Sequence, residues 1–284
     1  MTLKVETLNP VRSFKGRGTE TVAAVARGHG ASRVICASAG NLGQALAYSG
    51  RRRGLEVTVV AARTANPLKL RQIAAFGADM RLEGEDIEDA RLVARRIAAA
   101  DGAYLVEDSL DLATCEGAAT IGLELVRDDP ELDVVLVAVG AGAMASGVGY
   151  AARSLTDRVE VIGIQPAGAP AMALSWRQGK VVETEHIETI ADGVAGRCPI
   201  AEVLDDLLVV LDDVMLVRED AIKLGMRMIY EHAGLVVEPS AALGIAAVLE
   251  QPDRFAGRRV TTIVCGSNVG PADFARWVLE PVAR

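Results

Sequence analysis

The chain has 284 residues, 50% hydrophobic and 24% charged, a balance that excludes a disordered chain and suffices for a sizeable buried core. Lys and Arg number 30 against 38 Asp and Glu, a formal net charge of −8, which with 4% aromatics argues against nucleic acid as the main partner. No apolar run is long enough to span a bilayer, and the start MTLKVETLNP lacks the basic and apolar parts of a signal peptide.

In chain order, SRVICAS (32–38) predicts a strand entering Gly40, followed by a helix to about Tyr48. LEVTVVAA (55–62) reads as a buried strand, NPLKLRQIAAFGA (66–78) as a helix with Gly77 near its end, and DMRLEG as a short strand. EDIEDARLVARRIAAA (85–100) is amphipathic, with Ile87, Ala90, Val93, Ala94 and Ile97 on one helical face. YLVED is a strand and CEGAATIGLELVRD (115–128) a helix. The strongest strand, LDVVLVAVG (132–140), runs into a Gly/Ala loop and a helix, and VEVIGIQP (159–166) is another buried strand. Ala169 to Val203 is mixed in character. DVMLV (213–217) is a strand, REDAIKLGMRMIYEHAG a helix ending at Gly234, a further helix follows Pro239, and RRVTTIVCG (258–266) is the last strand. Strands alternating with helices imply an α/β fold with mostly parallel, helix-covered sheets. Three Gly-rich turns, SAGN, GAGAM and CGSN, follow strands. Ligands in such folds sit at the carboxyl ends of strands, so these turns are expected to converge on one cleft.

The four cysteines (Cys36, Cys115, Cys198, Cys265) are scattered without a CxxC pair, which suits a reducing cytoplasm, and the three histidines (His29, His186, His232) lack metal-ligand spacing. In Gly140-Ala141-Gly142-Ala143-Met144, small residues after a buried strand let backbone N–H groups approach a phosphate at a helix N-terminus. The run also fits a dinucleotide fingerprint, but that requires an acidic residue ~20 positions on, and VEVIGI ends in Gln165. A tight packing turn without ligand stays open beside both readings. Lys15, flanked by Phe14 and Gly16, is either a solvated loop lysine or a partly desolvated nucleophilic amine. Ser38-Ala39-Gly40-Asn41-Leu42 either offers N–H donors to an anion or simply starts a helix. Glu238 before Pro239 opens a helix, and Cys265 ends a strand.

Together, the order and separation of these motifs resemble those of the fold type II pyridoxal 5′-phosphate enzymes, and among them the serine/threonine dehydratases. SFKGRG looks like the family's SFKxRG, SAGNLGQ like S-[SA]-G-N-H-x-Q, EPSAA like EPSGA and CGSN like [SC]-G-x-N, while GAGAM stands where the family has a tetraglycine phosphate loop. CEGAATIGLEL and ETIADGV also look familial, and the resemblance covers essentially the whole chain. It implies the two-lobed, tryptophan synthase β-like architecture. The small domain would span 33–110, and 1–32 with 111–284 would form the large cofactor-binding domain. It implies pyridoxal 5′-phosphate held by Phe14, Lys15, Asn41, Gly140, Ala141, Gly142, Ala143, Met144, Glu238 and Cys265, with the substrate on Ser38, Ala39, Gly40, Asn41 and Leu42. Lys15 would carry the cofactor as a Schiff base, be displaced by the substrate amine, and then take the Cα proton. Loss of the β-hydroxyl would give a 2-oxo acid and ammonia from L-threonine or L-serine. Cys265 beside the ring nitrogen would be at most a weak donor.

Racemases of this family carry a serine at the position of Ala39, so a two-base racemase is not expected. The family's histidine after the asparagine is Leu42 here, making the pocket more apolar. Gln165 and Ala171 stand where many members hold a cation with Glu and Asp, so no metal site is expected. The family has some tens of residues more before the lysine motif, which implies either a truncated start or a reduced variant. Given the short stretch after CGSN, a regulatory amino-acid-binding domain is not expected. The resemblance also implies a homodimer. Alternatives on the same scaffold are a β-replacement or threonine-synthase-like enzyme, disfavoured by Gly16 after the lysine where those relatives tend to carry Asp, and a degenerate cofactor-binding paralogue.

Overall fold

The computed structural model describes residues 1–280. Two compact units emerge: Asn9–Ala118, and Met1–Leu8 together with the chain from Ala119 on. In chain order the elements are β1 (Thr2–Val5), α1 (Lys15–Gly28), β2 (Arg33–Ala37), α2 (Asn41–Arg52), β3 (Glu56–Ala61), α3 (Pro67–Ala75), β4 (Asp79–Leu82), α4 (Ile87–Asp101), β5 (Tyr104–Val106) and α5 (Leu112–Asp128). They continue with β6 (Val134–Ala138), α6 (Ala143–Leu155), β7 (Glu160–Pro166), α7 (Ala171–Gln178), α8 (Ala201–Val210), β8 (Asp213–Val217), α9 (Glu219–Ala233), α10 (Leu243–Glu250), α11 (Pro252–Phe255) and β9 (Val260–Val264). The fold is α/β, and each ladder described is parallel.

The smaller unit holds a four-stranded sheet in the order β4-β3-β2-β5. Strand β2 shows why it reads as a continuous apolar run. Alternate side chains point to opposite faces. Val34 and Cys36 pack with Val22 and Ala26 of α1 and Leu46 of α2, while Ile35 packs with Ala90, Ala94 and Ala98 of α4. Both faces are therefore covered by helices, as parallel sheets require. The α1–α2 crossing is close enough for the buried hydroxyls of Thr19 and Ser49 to meet at 2.9 Å. Helix α4 begins at Asp86, whose carboxylate accepts from the Asp89 N–H at 3.0 Å, and stops at Gly102 in the left-handed region. Helix α3 ends two residues before Gly77, short of the predicted end at 78. There the chain turns with a φ of +92° that only glycine adopts easily.

The larger unit holds a five-stranded sheet in the order β1-β9-β6-β7-β8. β6 is buried along its whole length, and each Val or Leu so removed from water contributes roughly 1.5–3 kcal/mol. Strand β1 was not evident in the sequence, because its order comes from pairing with β9 in the register Thr2↔Thr261 to Val5↔Val264. The region read as mixed contains α7 and leads into α8, tied together by the Trp176 indole N–H donating to the Leu207 carbonyl at 3.2 Å. The helix expected directly after Pro239 begins as one 3-10 turn, Pro239–Ala242, before α10. No described helix is long and apolar enough to cross a membrane.

Candidate active site

In the smaller unit, Lys15 is the first residue of α1 and Phe14 its N-cap. The approach to the helix is fixed by Asn9. Its side-chain oxygen accepts from the Val11 N–H at 3.1 Å, and its amide donates to the Ser13 carbonyl at 3.1 Å. Between them Arg12 takes a φ of 53°, an uncommon conformation for a residue with a Cβ. Ser13 is buried and its hydroxyl has no hydrogen-bond partner. The Lys15 ammonium lies 4.8 Å from the centre of the Phe14 ring and donates to both oxygens of Asp108, at 2.7 and 2.5 Å. The two side chains are only 15% and 18% exposed.

Asp108 stands two residues beyond the end of β5, and Cys36 at the neighbouring strand end pairs with Val106. Burial and the Asp108 carboxylate together push the Cys36 thiol up to about 12. The loop is strapped to the start of α5. The Ser109 N–H donates to the Thr114 hydroxyl at 3.2 Å, that hydroxyl donates to the Asp111 carbonyl at 2.7 Å, and Ser109 itself has a φ of 70°. At the same edge β2 ends in the Ser38–Asn41 turn. The Ser38 hydroxyl accepts from the Gly40 N–H at 3.1 Å, and α2 starts at Asn41 with no side-chain cap and no acidic residue in its first turn. Such a helix start presents N–H donors and a positive dipole end. Ala39 lies in this turn, while the Leu42 side chain is 6% exposed and belongs to the unit's core.

In the larger unit, Gly140 to Gly142 link β6 to α6, and Ala143 and Met144 are the first helical residues. A Cβ on Gly140 would come within 3.0 Å of the Gly193 carbonyl. Gly142, at φ +115°, has no room for a side chain, since a Cβ would lie 2.3 Å from Val203. α6 has no side-chain cap and no acid in its first turn, and the buried Ser146 hydroxyl has no partner. A Cβ on Gly193 would in turn meet the Ser240 hydroxyl at 2.7 Å, and that hydroxyl is also buried without a partner. Glu238 is 7% exposed. One of its oxygens accepts from the Asn268 N–H at 3.1 Å, and its own N–H donates to the Gly266 carbonyl at 3.1 Å. A Cβ on Gly266 would stand 2.3 Å from the Glu238 carboxylate. These contacts bring the Gly140 loop, Glu238 and the turn after β9, which begins with buried Cys265, to the strand-end edge of one sheet.

Gln165 is buried, and both ends of its side-chain amide are hydrogen-bonded. It donates to the Val139 carbonyl at 3.0 Å and accepts from the Ala173 N–H at 2.8 Å, tying the strand end before the Gly140 loop to α7. Among the described residues no group of three or more His, Cys, Asp or Glu is placed to hold a metal ion. Neither Asp108 nor Gly193 carries a signal of its own in the sequence, while Ser240 lies within the familial EPSAA. ETIADGV was noted as a familial stretch, and its glycine is Gly193.

A family model described as "Pyridoxal-phosphate dependent enzyme" matches residues 1–266. The chain is 34% identical over 275 residues to an L-threonine ammonia-lyase of Thermotoga maritima, covering 94% of this chain and 67% of that protein. It is 31% identical to a phenylserine dehydratase of Ralstonia pickettii, over 96% of this chain and 84% of the relative. The structure of a maize serine racemase superposes with a TM-score of 0.90 at 28% identity, covering 96% of this chain and 85% of that one.

Proposed function

Because the chain belongs to the pyridoxal-phosphate dependent enzyme family, we propose that it is a dehydratase (ammonia-lyase) that converts L-threonine, L-serine or both to a 2-oxo acid and ammonia by β-elimination, with Lys15 as its catalytic lysine. The observation that carries this reading lies within the smaller unit. A shielded amine, Lys15 Nζ, is held by a carboxylate at the same strand-end edge that bears the uncapped N-terminus of α2. A lysine amine, which accepts a proton in its neutral form, and a carboxylate-binding turn on one sheet edge suit deprotonation of an amino acid at Cα.

The larger unit fits the cofactor by its own atoms. The uncapped, acid-free start of α6, the side-chain-free backbone at Gly140 and Gly142, and the unpartnered hydroxyls of Ser146 and Ser240 form a donor set suited to a phosphate and a polar ring. Gly140 to Met144 would hold the phosphate, and Cys265 would serve the ring nitrogen as a weak donor at most. Glu238 fixes the turn that follows Cys265 through the Asn268 N–H and the Gly266 carbonyl. Bound there, pyridoxal phosphate supplies an electron sink for charge developing at the substrate Cα.

Lys15 takes the Cα proton at Nζ. The Ser38–Asn41 turn would orient the substrate carboxylate with its backbone N–H groups. Ala39 has no proton to give, which disfavours racemisation by a second base. A homodimer, expected from the resemblance, and a cytoplasmic setting, suggested by four free cysteines, complete the proposal.

The test is release of 2-oxo acid and ammonia from L-threonine and L-serine by the purified protein with pyridoxal phosphate, with chiral analysis of the remaining amino acid. Keto acid without a second nucleophile sustains the reading. Product only with an added nucleophile replaces it with β-replacement, D-amino acid replaces it with racemisation, and bound cofactor without turnover replaces it with a degenerate paralogue.

A further inference from the structure

We propose that Asp108 is a positioning residue for Lys15: its carboxylate clasps the lysine amine whenever that amine is free, and holds it at the strand-end edge where the proton is taken. The inference rests on the reading of Lys15 as the catalytic lysine.

Three observations carry it. The first is the contact itself. Both Asp108 oxygens accept from one amine, at 2.7 and 2.5 Å, and the pair is shielded, with 15% and 18% of the side chains exposed. Exposed ion pairs order their side chains weakly, whereas a shielded, two-oxygen acceptor beside the Phe14 ring confines the amine from two sides. Lysine otherwise brings four flexible bonds to its task, and catalysis by proton transfer demands a fixed position.

The second is the backbone on either side. Among the described residues, two non-glycine positions take positive φ: Arg12, three residues before Lys15, and Ser109, directly after Asp108. Conformations of this kind are costly and persist where the surroundings over-determine them, characteristically at functional sites. Here they flank the two members of one pair, on segments 93 residues apart in sequence.

The third is how firmly the carboxylate is mounted. Its loop is bound to α5 through the Ser109 N–H on the Thr114 hydroxyl, that hydroxyl on the Asp111 carbonyl, and the Cys115 thiol on the Ser109 carbonyl at 3.6 Å. Asp108 is thus a rigid anchor and Lys15 the mobile partner. In turnover, Lys15 Nζ takes the Cα proton and carries it as an ammonium that donates to Asp108. Asp108 exchanges no bond with the substrate.

Asp108→Asn, Asp108→Glu and wild type are compared in two measurements. In the first, protein stripped of cofactor is methylated with formaldehyde and borohydride. The rate at Lys15 is read by peptide mass spectrometry against Lys4, Lys69, Lys180 and Lys223. Loss of a charge-assisted bond predicts that Lys15 is modified at least about fivefold faster in Asp108→Asn, with the other four lysines unchanged, and near the wild-type rate in Asp108→Glu. In the second, kcat for L-threonine falls about tenfold in Asp108→Asn with KM within about twofold, and Asp108→Glu recovers most of it. Unchanged Lys15 labelling together with unchanged kcat overturns the inference while leaving the proposed activity standing. If the wild-type protein turns over no hydroxy amino acid, the proposed activity fails, and the labelling alone decides the clasp. Should Asp108→Asn not fold, Asp108→Ser must speed the labelling where Asp108→Glu does not, and equal rates in those two overturn the inference.

Discussion

The four-stranded and five-stranded sheets are both parallel, and each ends a central strand in a turn that feeds a helix, yet the two edges are made of different material. At the edge of the smaller sheet stand an ammonium, a carboxylate and two strained non-glycine residues, Arg12 and Ser109. At the edge of the larger one, Gly142, Gly193 and Gly266 are pressed against neighbours so closely that a Cβ would collide with them, and a Glu238 oxygen accepts from a backbone N–H. Chemistry needs chargeable groups held against tension, whereas holding a ligand needs bare backbone that can be approached. The contrast is visible in residue type: an ion pair of side chains marks one edge, and close-packed glycines mark the other.

The most drastic way to break this contrast is Lys15→Ala. It is expected to lower 2-oxo acid release on the order of a thousandfold or more without shifting the urea midpoint beyond the loss of one shielded ion pair. Residual activity near wild type would move the chemistry to the other edge. Next in size is Gly142→Ala, which combines a φ of +115° with a Cβ 2.3 Å from Val203. It should cost about 1–3 kcal/mol in urea unfolding and weaken binding of pyridoxal phosphate, followed by its visible absorption. Smaller again is Arg12→Gly, which relieves a left-handed residue whose side chain is exposed. Stability should rise by about 0.5–1 kcal/mol while kcat falls, because the strain holds Lys15 in place. A rise in both would mean the strain serves nothing.

The smallest effect lies away from both edges. Asp133 accepts from the Arg259 N–H at 2.8 Å and from Arg158 at 3.0 Å, bonds that hold its carboxyl below the usual carboxylate range. A depressed acid contributes stability above its unfolded value, and that contribution is lost as pH falls through the folded one. Wild type should therefore lose slightly more stability on acidification below the usual carboxylate range than Asp133→Asn does. Parallel acid-unfolding curves for the two proteins would sink this assignment.

How much of this was legible beforehand depended on how local its cause is. β2, β3 and β6 announce themselves because both faces are buried, so their interiors are almost entirely apolar. α1 did not, because Gly16 and Gly18 break the pattern in its first turns. The structure shows why Gly18 stands there: a Cβ would come 2.8 Å from the Thr114 carbonyl at the start of α5. α7 and α8 depend on each other through Trp176 and Leu207, a partnership no window of sequence contains. At the site, Lys15 and the Gly140 loop carry their signal in adjacent residues. Asp108 carries none, since its partner is 93 positions away and nothing in YLVED marks one acid over the other. Gln165 was read for the cation ligand it replaces, and its own work, fastening the Val139 carbonyl, follows only from where α7 lies.

The pairing of β1 with β9 has a consequence for biosynthesis. The segment from Asn9 to Ala118 leaves the ribosome as a contiguous piece with its own core and can close as soon as it emerges. β1 precedes it, but its hydrogen-bonding partner, Val260–Val264, is made only near the end of the chain. With roughly 250 residues intervening and synthesis at about 5–20 residues per second, the first strand waits unpaired for roughly 10–50 s. During that interval an exposed strand edge is open to wrong partners. In this strand Lys4 is the charged residue, and it later forms ion pairs with Glu6 and Glu124. A charge that belongs to the finished fold is thus also of the kind that discourages an unpaired strand from sticking to its neighbours.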